Sequence, residues 1–158
     1  MKTERVDVNI EKFIAFHKDR ITLLNEFEKQ KRHGKLIFQI CFLGFESLAR
    51  VLYPKEESSG KRFKNILSKI IDKKEAERLY DYWRNPLIHE GFISNPWTAL
   101  ENEDDAFLSY SEKKMRTSVE HPPGSMVSIY NDATEYLRDF FKKGGVKKVE
   151  IRWKKVRS

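Results

Sequence analysis

The chain has few of the residues and patterns that mark secreted, membrane-spanning or metal-binding proteins. It contains one cysteine, Cys41, which cannot form a disulfide within the chain. No apolar run approaches the ~20 residues of a membrane span, and residues 1–9 lack the apolar core of a signal peptide. No closely spaced cysteine pair, HExxH or P-loop pattern is present. We therefore expect a cytoplasmic protein without a metal, a cofactor or a membrane partner.

Basic residues are in excess, and the excess is confined to the C-terminal end. The net charge is +7, and residues 142–158 alone hold eight Lys or Arg and one acid, Glu150. The other residues hold 23 basic and 23 acidic side chains. A basic tail over residues 146–158 suits phosphate backbones and base stacking, although a merely solvated end is an equal alternative. The residues expected to bind nucleic acid are Lys147, Lys148, Arg152, Trp153, Lys154 and Lys155.

Apolar residues recur at steps of three and four along much of residues 1–145, which predicts a mainly helical domain. Short connections favour antiparallel neighbours, so we predict an up-down bundle of four to five helices. The second helix is the most apolar and is expected at its centre. The predicted helices cover residues 7 or 9 to 33, 35–52, 63–71, 72–84 or beyond, and 125–143.

Turn and cap residues divide these helices. A polar loop is predicted over residues 54–60, and a small β-hairpin over about 106–120, inserted before the last helix. Asp72 begins a capping box for the fourth helix, and Ser125 is expected to cap the last one. Two glycines at 144 and 145 are expected to end it.

The most informative motif lies near the end of the fourth predicted helix. Arg84 is followed at once by Asn85 and, after three more residues, by His89. A second Arg and His at the same spacing, Arg116 and His121, fall in the β-leaning stretch and are set aside. The first motif resembles the signature of the HEPN family, in which an Arg, often followed by a polar residue, precedes a His by a few positions.

This resemblance implies a helical bundle and a metal-independent endoribonuclease that acts as a homodimer on RNA. Many members of the family have this activity, including toxins of toxin–antitoxin or defence systems. Others are non-catalytic or bind nucleotides. A nucleotidyltransferase-type antitoxin is a further expected partner. The β-leaning segment and the basic tail lie outside the family pattern.

A helical wheel separates the motif from the core side of the fourth helix. At about 100° per residue, Leu79, Tyr80 and Trp83 share the core stripe, whereas Arg84 and His89 fall off it. Ile88 and Phe92 also fall off it, which predicts an interface with a partner; ordinary exposed residues are the alternative. The residues placed outside the core are Asp81, Arg84, Asn85, Ile88, His89 and Phe92.

The motif residues suit RNA cleavage by the RNA's own 2′-hydroxyl. His89 could act as base or acid near neutral pH. Arg84 could hold two phosphate oxygens, and Asn85 could orient the phosphate or the imidazole. A two-fold dimer would supply a second His and Arg to a composite site. The alternative is a non-catalytic module that dimerises, or binds nucleic acid or a partner, without cleavage.

Two further residues are expected to be structural. His17 lies on the apolar face of the first predicted helix and is interpreted as a core or interface histidine. Cys41 lies in an apolar stretch and is interpreted as a small buried residue rather than a nucleophile.

Overall fold

The computed structural model describes residues 3–30, 34–84 and 123–154, and the protein is mainly helical, as the sequence predicts. The predicted hairpin at about 106–120 lies outside the described residues. No helix in the described part of the chain is long and apolar enough to cross a membrane. The elements are β1 (Thr3–Asn9), α1 (Ile10–Lys29), α2 (Gly34–Leu52), α3 (Ser59–Leu67), α4 (Lys73–Arg78), a π-helical turn (Leu79–Arg84), α5 (Pro123–Lys143) and β2 (Lys148–Lys154).

Capping side chains set the starts of three helices. The side chain of Asn9 accepts a hydrogen bond from the Lys12 amide at 3.0 Å, so α1 begins at the later of its two predicted starts. Asp72 accepts from the Lys74 amide at 2.9 Å, which confirms it as the cap of α4. Ser58 caps α3, which therefore begins inside the predicted loop.

The helix ends differ from the predictions in three places. α1 ends at Lys29 and α3 at Leu67, each four residues before the predicted end. α5 begins at Pro123, where the missing amide hydrogen costs nothing, rather than after a Ser125 cap. It ends as predicted: Gly145 adopts φ +64, and the Val146 amide donates to the Phe141 carbonyl at 3.0 Å, as in a Schellman motif.

The core surrounds α2, as its apolar sequence predicts. Aromatic rings link it to its neighbours, because Phe42 lies 6.0 Å from Phe63 of α3 and Phe45 lies 5.7 Å from Tyr130 of α5, centre to centre. Ring contacts at these distances add to the gain from burial. The largest fully buried side chains include Phe38, Phe42, Phe45, Phe63 and Tyr130.

A two-stranded antiparallel sheet joins the two ends of the described chain. β1 pairs with β2 in a register that sets Val6 opposite Ile151 and Val8 opposite Val149. Ile151 is buried, while Val8 and Val149 are half-buried against the core. The segment interpreted as a basic tail therefore contains a strand. Its apolar residues alternate at 149, 151 and 153, a pattern that predicts a strand but that is easily missed among so many basic residues.

His17 is buried at the meeting of α1 and α5, as its place on the apolar face predicts. Its Nδ1 and the Tyr130 hydroxyl form a hydrogen bond. Its Nε2 has no hydrogen-bonding partner among the described residues. Burial, and to a lesser degree the charge of Arg20, lower the pKa of His17 to about 4.

The buried His17 predicts a loss of stability in mild acid. In the unfolded chain the imidazole takes up a proton near its ordinary pKa of 6.5, whereas in the folded chain it does so only near 4. Stability is therefore fully present above pH 6.5 and lost as the pH falls toward 4, by roughly 3 kcal/mol at ~1.4 kcal/mol per pKa unit. Urea unfolding across this range should show the fall. His17→Phe combined with Tyr130→Phe should make the slope shallower, and an unchanged slope would assign it to other groups.

The ring of Tyr130 also lies against α2, at Gly44. A Cβ atom at Gly44 would stand 2.3 Å from Cζ of that ring, a distance that no packed structure tolerates. Gly44 is therefore the residue that lets α5 approach α2 so closely, although glycine costs about 1 kcal/mol within a helix.

Gly44→Ala should accordingly lower the free energy of unfolding by about 2 kcal/mol or more, because the added methyl forces the two helices apart. Gly144→Ala is the matched control, since its Cβ would meet its nearest neighbour at 3.5 Å, an ordinary contact. Chemical denaturation of both variants checks this. Equal stability of the two variants would contradict the close approach.

Candidate active site and nucleic-acid interface

The π-helical turn Leu79–Arg84 carries the chain from α4 into the motif. π-Helical turns bond each amide to a carbonyl five residues back and are frequent at functional sites. The structure describes Arg84, the first motif residue. Asn85 and His89, and the predicted interface residues Ile88 and Phe92, lie outside the described residues.

Arg84 is held by α2. Its Nη2 donates a hydrogen bond to Oε1 of Glu46, and the two charges form an ion pair. The guanidinium carbon also lies 5.3 Å from the ring centre of Tyr80, which is within cation–π range. Arg84 is only 8% exposed. The side chain is therefore fixed by a carboxylate and a ring rather than extended into solvent.

The placement of Arg84 outside the core was wrong. Arg84 lies about one turn beyond Tyr80 in the π-helical turn, so it lies beside Tyr80 at the edge of the core stripe. A buried arginine is tolerated where an acid compensates its charge, and Glu46 does so here. Glu46 is a residue that sequence reasoning missed. The available signal was an acidic side chain within the otherwise apolar α2.

A second cation, from α3, contacts the π-helical turn. Nζ of Lys64, on α3, lies 5.0 Å from the ring centre of Tyr80 and 3.3 Å from a carboxylate oxygen of Asp81. Phe63 lies 5.2 Å from the same ring, centre to centre. Tyr80 thus contacts both Lys64 and Arg84, and its contact with Lys64 and Phe63 ties the π-helical turn to α3 as well as to α2.

One turn beyond Glu46, α2 reaches β2. Nη2 of Arg50 donates a hydrogen bond to the Arg152 carbonyl at 2.7 Å. Residues four apart lie on the same face of a helix, so Glu46 and Arg50 attach the π-helical turn and β2 to the same face of α2. Two predicted site residues that are 68 positions apart, Arg84 and Arg152, are thereby brought to one region of the protein.

A third arginine belongs to the same region. Burial and then the charge of Arg50 lower the pKa of Arg62, while Glu46 and Glu56 oppose that change. Arg62 also donates a hydrogen bond to the Glu56 carbonyl. We call Glu46, Arg50, Arg62 and Arg84 the α2 charge cluster. Its three arginines outnumber Glu46 and the neighbouring Glu56, which favours anions such as phosphate groups at its exposed margin.

The six residues expected to bind nucleic acid fall into three groups. The side chains of Lys147, Lys148 and Arg152 are exposed, and the last two project from β2. Trp153 and Lys154 also belong to β2, and Lys155 lies outside the described residues. The exposed lysines and Arg152 therefore extend the positive charge of the α2 charge cluster along a strand.

The described residues suggest neither a metal-binding site nor a reactive thiol. Within residues 3–30, 34–84 and 123–154, no group of three or more His, Cys, Asp or Glu lies close enough to hold a metal ion. Cys41 is fully buried, and burial raises the pKa of its thiol, which confirms its interpretation as a core residue. Comparisons with protein-family models, curated proteins and solved structures found no match to this chain.

The ion pair of Glu46 with Arg84 predicts a stability cost at the motif itself. Arg84→Ala should lower the free energy of unfolding by about 2 kcal/mol, because it leaves Glu46 largely buried without its cation. Glu46→Gln should cost less, since the amide oxygen can still accept a hydrogen bond. Asp81→Asn is the control, because the pair with Lys64 is half-exposed and such pairs contribute about 0–1 kcal/mol. Equal effects of Arg84→Ala and Asp81→Asn in urea unfolding would refute this account.

Proposed function

We propose that this chain is a HEPN-type metal-independent endoribonuclease that acts as a homodimer, with Arg84, Asn85 and His89 at a composite site. The observation that carries the proposal is the pair of contacts one turn apart on α2. Glu46 holds the motif arginine, and Arg50, one turn further along α2, holds the basic strand β2. A phosphate backbone following β2 would therefore be led toward Arg84.

The chemistry requires no metal. His89 removes the proton of the RNA 2′-hydroxyl, and the oxygen attacks the adjacent phosphorus, forming a 2′,3′-cyclic phosphate. The bond to the 5′-oxygen breaks, and an acid protonates that oxygen. His89 of the second copy is the proposed acid. Arg84 stabilises the charge that develops on the phosphate oxygens.

Glu46 has a defined part in this mechanism. An arginine side chain is long and loses much rotational freedom when it binds a ligand. The ion pair with Glu46 orders the Arg84 guanidinium before RNA arrives, so less freedom is lost on binding. Glu46 is therefore a positioning residue.

The second copy follows from the need for two proton transfers. Ile88 and Phe92 are proposed to form the interface between two copies, each of them an up-down helical bundle. This interface would bring the two motifs together at the two-fold axis. In this proposal the protein acts in the cytoplasm as the toxin of a toxin–antitoxin or defence system. A nucleotidyltransferase-type antitoxin would neutralise it by modifying or covering the motif.

A non-catalytic binding module is the second candidate, and the burial of Arg84 favours it. An arginine that is 8% exposed and paired with a carboxylate also serves to tie a helix to the core. In that case nucleic acid would bind along β2, through Lys148 and Arg152, and would not be cleaved.

Cleavage of labelled single-stranded RNA in EDTA separates the two candidates. The wild-type chain should produce ends with a 2′,3′-cyclic phosphate, and 2′-deoxy substitution at the cut site should block the reaction. His89→Ala should slow cleavage by roughly 10²–10⁴-fold, the usual contribution of a general acid or base. Arg152→Ala should weaken binding and should reduce the slope of the logarithm of the binding constant against the logarithm of salt concentration by about one.

His121→Ala is the matched control, because His121 has the same spacing from an arginine but no assigned part in cleavage. Full activity of His89→Ala, or cleavage of the deoxy-substituted RNA, would exclude the mechanism. Salt-dependent binding without any cleavage by the wild-type chain would establish the binding module instead.

A further inference from the structure

The register of the small sheet sets like charges opposite each other. Arg5 of β1 faces Arg152 of β2, and Asp7 faces Glu150. Like charges directly across a sheet are destabilising. The relief that the described side chains of the two strands offer is diagonal: Nε of Arg5 lies 3.5 Å from Oε1 of Glu150, and both side chains are well exposed. Neither pair of like charges therefore has an opposite charge directly across the two-stranded sheet.

The directions of the backbone groups show which edge of β1 is open. The Ile10 amide donates to the Lys147 carbonyl at 3.0 Å, in continuation of the register of the ladder. The even-numbered residues of β1 therefore point their amides and carbonyls at β2. Those of Arg5 and Asp7 point away from it, along an edge where residues 3–7 are all exposed. The outer edge of β2 differs, because the Arg152 carbonyl already accepts from Arg50.

Only a few pairings of this edge with itself are possible. Only the odd-numbered residues of β1 point their amides and carbonyls outward, so two antiparallel copies must pair odd-numbered residues with odd-numbered ones. The two-fold axis then passes between one residue and the same residue of the second copy. An axis at Arg5 would set arginine against arginine, and an axis at Asp7 would set aspartate against aspartate. An axis at Val6 sets Arg5 against Asp7 twice, once on each side.

We infer that the open edge of β1 binds β1 of a second copy of this chain, antiparallel and centred on Val6, to form a four-stranded sheet. Arg5 and Asp7 then exchange backbone hydrogen bonds with Asp7 and Arg5 of the second copy. Their side chains supply the counter-charges that the pairs with Arg152 and Glu150 lack. Val6, which is 41% exposed, meets its own copy at the axis. Such a closed two-fold pairing also covers an edge that would otherwise invite open-ended aggregation.

A charge exchange tests this interface. Arg5→Asp and Asp7→Arg should each weaken dimer formation by about tenfold or more, because both symmetry-related pairs become repulsive. The double variant Arg5→Asp/Asp7→Arg restores opposite charges at the axis and should return the dissociation constant to within about threefold of wild type. Sedimentation equilibrium over a range of concentrations gives these constants, with every variant made in an Ile88→Glu/Phe92→Glu background so that the interface proposed there does not contribute. Lys148→Gln, on the other strand, is the control and should leave the constant unchanged.

Hydrogen exchange supplies a readout that does not depend on charge. The amides of Arg5 and Asp7 should become protected as concentration rises, whereas those of Val6 and Val8, which face β2, should be protected throughout. A double variant that stays as weak as the single ones, or Arg5 and Asp7 amides that exchange freely at every concentration, would overturn the inference. Both readouts are taken without RNA, so a negative result here is distinguishable from a failure of the proposed endoribonuclease.

Discussion

The close approach of α5 to α2 at Gly44 is the constraint on which the rest of the structure depends. The ring of Tyr130 fills the space that a side chain at Gly44 would occupy, and its hydroxyl reaches His17 of α1. Three helices are therefore fixed around one ring. Because α2 is fixed in this way, Glu46 and Arg50, which follow Gly44 within two turns, are held at defined positions.

The α2 charge cluster shows how a buried helix can serve two regions. Glu46 ties down the π-helical turn, and Arg50 ties down β2. Sites built on a rigid core helix hold their geometry better than sites built on loops alone. Displacing α2 would therefore disturb the motif arginine and the basic strand together, which couples packing at Gly44 to the proposed RNA chemistry.

Periodicity was sufficient to predict the helices, because each buries one stripe and caps such as Asn9 and Asp72 act locally. It failed where the deciding contact was distant in sequence. The partner of β2 is β1, and Arg84 is buried because of Glu46, 38 residues away. A wheel that sorts residues by hydrophobicity cannot find a charge that is compensated from another helix. His17 was the easier case, since its own apolar neighbours predicted its burial.

The pairing of β1 with β2 has a consequence for the order of events during folding. The two strands are separated by most of the chain, so closing that loop costs entropy that no local contact offsets. Helices α2 to α4 can form contacts with one another while the chain is still being synthesised, whereas α1 packs mainly on α5, and β1 must wait until residue 154 has left the ribosome. The hydrogen bond from Arg50 to the Arg152 carbonyl can likewise form only after β2 has been synthesised. The surface proposed to bind RNA is therefore completed only after α5 has fixed α2 and β2 has paired with β1.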